Sequence, residues 1–131
     1  MLLSRLRPFA AQALVEFAVV VPLMLGLCLG ALQVVLYAHA RDLAISSVQE
    51  AARLSAEDGR GLEEGYARAQ ALVGAGLGSS LEPLAIGGSM DADLVTVHLD
   101  GTLQPIVPLL GGLPIHAEAA VARERFRPVG G

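Results

Sequence analysis

Apolar and polar positions divide the chain into three regimes. Residues 17–40 read FAVVVPLMLGLCLGALQVVLYAHA, 24 positions without a formal charge, with Gln33 and His39 as polar interruptions in the second half. A helix needs about 20 apolar residues to cross a hydrocarbon layer of roughly 30 Å, so this run is long enough to span a membrane. Beyond Arg41 the pattern becomes that of a helix with one narrow stripe: Ala44, Val48, Ala51, Ala52 and Ser55 recur at three- and four-residue steps. Small side chains at these positions suit close packing against another helix or a sheet. No Gly or Pro lies between Ala31 and Asp58, which predicts one continuous helix over residues 14–57, about 66 Å long at 1.5 Å per residue. Gly59-Arg60-Gly61 ends it, because Gly just past a helix adopts the left-handed cap conformation readily.

A second helix is predicted over residues 62–73, with Glu63 and Glu64 in its first turn and Leu62, Tyr66, Ala69 and Val73 on one face. Gly74, Gly76, Gly78, Ser79 and Ser80 read as a flexible loop. The period then changes to two. Val95, Val97 and Leu99 alternate with Thr96 and His98, and Asp100-Gly101 is a two-residue hairpin signal. Residues 102–107 read as a short return strand, confined to an edge or bulge by Pro105 and Pro108. Ile115, Ala117, Ala119 and Val121 share one side of a further strand over residues 115–126. The expected fold class is α+β: a long N-terminal transmembrane helix continuing into an external domain, with a second helix and a small antiparallel sheet.

Composition sharpens this picture. The 131 residues are 53% hydrophobic, 17% charged and 4% aromatic, and mean hydropathy is +0.57. The charged share of an ordinary soluble domain is nearer a quarter. The length sets one compact domain as the prior and excludes a large multidomain enzyme. A net charge of -4 without a basic cluster argues against a nucleic-acid partner, since phosphate neutralisation needs concentrated Lys and Arg. Residues 41–131 carry seven Arg and twelve acidic residues, and their aromatic bulk is Tyr66 and Phe126. A core that sparse is marginal unless partner subunits complete it.

The flanks of the apolar run set its orientation. Arg5, Arg7 and the terminal amine precede it, while Arg41 and Asp42 after it cancel. The positive-inside rule then leaves the N-terminus in the cytoplasm and sends the C-terminal part outward. Three readings compete. A secretory signal peptide would use Ala38-His39-Ala40 as its cleavage site, leaving Arg41 first, but the apolar run is longer than such peptides use and Glu16 stands just before it. An uncleaved anchor accounts for the span and leaves Glu16 unexplained. The third reading rests on the stretch from Ala11 through Gln12, Glu16 and Phe17 to Pro22.

That stretch, AQALVEFAVVVPLMLGL, closely resembles the N-terminal segment of TadE-like pseudopilins, minor subunits of tight-adherence pilus systems. The family has a short basic leader, Gly, a five-residue step to Glu, an aromatic residue, a small and branched apolar run, and a Pro early in the span. Ala11 stands here where the family usually has Gly. The resemblance implies cleavage after Ala11 by a prepilin peptidase, making Gln12 the first residue and Glu16 the fifth of the mature chain. It further implies that the new amine on Gln12 of one subunit pairs with Glu16 of a neighbour during docking, with Phe17 beside it. Physics gives Glu16 weight independently, since a carboxylate at the edge of hydrocarbon is costly unless paired or hydrated. The alternative is an interfacial residue in the first helical turn, favoured by the helix dipole and hydrated by headgroups. Pro22 should kink or loosen the helix, and Gly26 and Gly30 form a GxxxG pattern that allows close helix approach.

No catalytic constellation emerges. His39, His98 and His116 are far apart, and no HExxH, GxSxG, CxxC, phosphate-loop or dinucleotide fingerprint is present. Cys28 is an apolar filler without a disulfide partner. His98 with Asp100 and His116 with Glu118 form two His-carboxylate pairs, which read as the polar face of a strand and not as a metal site. Glu63, Glu64, Arg68, Arg123, Glu124 and Arg125 read as solvated faces. No catalytic residue, metal or cofactor is expected, and the chain is read as a non-enzyme.

The organisation expected is a basic cytoplasmic leader over residues 1–11, a transmembrane helix over 12–40 and an extracytoplasmic α+β domain over 41–131. The function implied is a minor pilin-like subunit of the inner membrane, single-pass, acting in assembly or stabilisation of a tight-adherence pilus. Its partners would be the lipid bilayer, other pilin-like subunits, the pilus assembly machinery and a prepilin peptidase. The alternative is a membrane-anchored extracytoplasmic binding module without pilin processing, and the third case is a released secreted domain. A mature N-terminus at Gln12, Met1 or Arg41 separates the three.

Overall fold

The computed structural model describes residues 3–123. The side chains of Arg5 and Arg7, and the positions Glu124, Arg125 and Phe126, lie outside the described residues. Helix α1 runs over Leu3–Ala56, 54 residues and about 81 Å. It starts earlier than the expected residue 14 and passes through Pro8 and Pro22 without a break in its helical assignment. It has no boundary at residue 11 or 40, where leader, span and domain were divided. Gly59, at φ +77°, turns the chain after it, as the cap reading required.

Helix α2 covers Leu62–Leu77 and a single 3-10 turn, Gly78–Ser80, follows. Gly74 and Gly76 are therefore helical, against the expected loop. Tertiary contact overrides their low propensity: a Cβ on Gly76 would collide with the end of Leu43 on α1, so this glycine lets the helices close on one another. Gly65 does the same a few turns earlier, where a Cβ would meet Ser55 Oγ and lie 2.7 Å from the Ala51 carbonyl. Gly78, at φ +56°, ends α2 and donates its N–H to the Gly74 carbonyl.

Three strands, β1 (Leu81–Met90), β2 (Leu94–Leu103) and β3 (Leu113–Ala122), form an antiparallel sheet in chain order. Two expectations fail here. Strand β1 falls in a stretch that gave no strand signal, and Asp100-Gly101 lies inside β2, where Asp100 pairs with Ala85 and His116 and Gly101 with Leu84 and Ile115. Gly101 serves packing instead of a turn, since a Cβ there would stand 2.9 Å from Leu81 Cγ. The expected return strand over residues 102–107 reduces to the end of β2, and Pro105 and Pro108 fall in the loop before β3.

The helices cover one face of the sheet. Ala40, Ala44, Val48, Ala51, Ala52 and Ala56 from α1 and Ala69 and Val73 from α2 meet Leu81, Val95, Val97, Leu99, Leu103, Ile115 and Ala117. The small-residue stripe is fully buried, with Ser47 and Ser55 inside it. Ser47 Oγ donates to the Leu43 carbonyl at 2.7 Å, the usual answer to a buried hydroxyl in a helix. Alanine at the contact brings helix and sheet close, and Val, Leu and Ile from the strands supply the volume. At the exposed turn between the helices, Arg60 bridges Glu57 and Glu64, both at 2.8 Å.

Candidate assembly surface

Among the described residues, α1 has no buried residue from Pro8 to Leu32. From Pro8 to Leu32 every side chain is exposed except Val21 and Gly30, which are half-buried. Phe17 is 70% exposed, and Leu23, Met24, Leu25 and Leu27 stand out in the same way. So long an apolar surface is unstable in water, and the helix is long and apolar enough to cross a membrane.

Gln12 and Glu16 are one helical turn apart on a shared face, beside Ala11, Val15, Val19 and Val20, which together border a shallow surface hollow. Among the described residues no cation lies within ion-pair reach of Glu16. The Ala11–Gln12 bond lies inside α1. Pro22 is exposed, and Gly26 and Gly30 have open space where a Cβ would project. The structure therefore brings Ala11, Gln12 and Glu16 together and spreads Pro22, Gly26 and Gly30 along the rest of the bare helix.

The polar residues of the sheet pair differently from the sequence expectation. His98, Asp100, His116 and Glu118 all lie on the outer face, and the pairs run across strands. His116 Nδ1 is 2.6 Å from Asp100 Oδ1, and His98 stands opposite Glu118. Among the described residues no group of three or more His, Cys, Asp and Glu side chains is arranged to hold a metal. Glu63, Glu64 and Arg68 are exposed and Arg123 is half-buried.

Sequence reasoning noted Gln33 only as an interruption, yet among the described residues its side chain is the first to be buried along α1, at 4% exposure. Its Oε1 accepts the Ile106 N–H at 2.8 Å, and one turn later the Tyr37 hydroxyl donates to the Pro114 carbonyl at 3.3 Å. These two bonds fasten the ends of the β2–β3 loop to the helix. A lone Gln in an apolar run was the available signal, without any indication of its partner.

No curated protein and no solved structure matches the chain. Residues 11–53, about a third of the chain, match the family model described as TadE-like protein, a stretch that takes in most of the bare half of α1 and most of its buried stripe.

Proposed function

We propose that the protein is a minor pilin-like subunit that assembles or stabilises a tight-adherence pilus, without catalytic activity of its own. The observation that carries this reading is Glu16, set with Gln12 on a bare apolar helix within the family-matched segment. In this role the helix sits in the inner membrane with its start in the cytoplasm, and the α2–sheet unit stands outside. A prepilin peptidase cuts after Ala11. The Glu16 carboxylate then has a reason to sit at the hydrocarbon edge, because the amine of a neighbouring Gln12 would neutralise it there.

Glu16→Ala in the native host tests this directly. Surface pili should be lost while the protein remains in the membrane fraction, as read by electron microscopy and immunoblotting. Normal piliation would overturn the docking role and favour a membrane-anchored binding module.

A further inference from the structure

We propose that the loop of residues 104–112, between β2 and β3, enters the outer leaflet of the bilayer beside α1 and gives the domain a second membrane contact. This rests on the reading of α1 as membrane-spanning. Phe17 and Tyr37 are 20 residues apart, about 30 Å along the helix, which equals the hydrocarbon thickness and sets the two aromatic rings at its two edges. The bond from Ile106 N–H to Gln33 holds the loop one turn, about 5 Å, inside the Tyr37 level.

The loop's chemistry suits that depth. No charged residue occurs between Asp100 and His116, and the loop presents Leu109 at 95% exposure with Ile106 and Leu110 beside it. Backbone in lipid needs its donors satisfied. Of the seven positions from Gln104 to Leu110, five offer no free N–H: Pro105 and Pro108 have none, Gln104 donates to Ser80, Ile106 to Gln33 and Leu110 to Val107. Between loop and helix lies a hollow of about 310 Å³ bordered by Gly30, Gln33, Val34, Tyr37, Leu110 and Leu113, open to the same apolar surroundings as the span. Acyl chains fit this hollow. A second copy is disfavoured because the exposed leucines continue the bare apolar surface of the span at the depth of the outer leaflet.

The chain has no Trp, so single substitutions report their own surroundings. Leu25→Trp in the span, Leu109→Trp in the loop and Glu118→Trp on the outer sheet face are placed in the full chain and reconstituted in phosphatidylcholine–phosphatidylglycerol vesicles. Expected are blue-shifted emission from Leu25→Trp and Leu109→Trp, lost when the acyl chains are brominated, and quenching of Glu118→Trp by aqueous iodide alone. If Leu109→Trp answers only to iodide while Leu25→Trp answers to bromine, the loop proposal falls and the span stands. If neither answers to bromine, both fall. Shielding of Leu109→Trp from both quenchers that disappears on dilution with lipid would assign the loop to a second copy and overturn the bilayer contact.

Discussion

Tyr66 shows how a single half-buried side chain couples this small core to pH. Burial first, and Glu63 second, push its phenol above the usual range. The neutral form is therefore favoured in the folded state. Its contribution is fully present below the unfolded value of about 10 and is lost as pH rises through the folded value. Melting temperatures of wild type and Tyr66→Phe should accordingly diverge between about pH 9 and pH 11, the wild type falling faster. At Gln33 the balance is different: Oε1 is satisfied by Ile106, while Nε2 is buried without a partner among the described residues. A buried amide at half satisfaction stabilises little, so its value lies in fixing where the loop sits.

Between elements, the α1–α2 contact holds two glycines that meet different obstacles. Gly65 faces Ser55 Oγ, which can rotate aside, and the Ala51 carbonyl, which cannot yield without moving α1. The nearest atoms to a Cβ on Gly76 belong to the end of the Leu43 side chain. Gly65→Ala should destabilise the domain by about 1–3 kcal/mol, whereas Gly76→Ala should be near neutral, the helix-propensity gain of up to about 1 kcal/mol offsetting a rotamer change at Leu43. Thermal melts of the two variants in detergent check the contrast. The sequence made α1 legible because its stripe repeats at the helical period and every member, from Ala44 to Ser55, is buried. It hid β1 because LEPLAIGGSM has neither alternation nor many β-branched residues, and edge position rather than propensity makes it a strand. Asp100-Gly101 misled for a related reason: turn chemistry is local, and the need for space beside Leu81 is not. On the bare helix, the motif placed Glu16 one turn from Gln12, as helical spacing requires. Gln33 was not legible, because its partner is 73 residues away.

For the molecule as a whole, core and bare apolar segment share one helix, but the core uses mainly its C-terminal part. A chain beginning at Arg41 keeps Ala44 to Ala56 against the sheet and loses both bonds that hold the β2–β3 loop, those of Gln33 and Tyr37. In that chain, limited proteolysis should move to residues 104–112, while amide exchange in β2 stays slow. Early exchange of the whole sheet would mean that the first half of α1 contributes to folding more than its exposure suggests. The uninterrupted helix has a mechanical consequence as well. Because the bare segment and the stripe under the sheet belong to one helix, a pull or a twist applied near Glu16 is passed to the α2–sheet unit along that helix, softened at Pro22, where a backbone donor is missing.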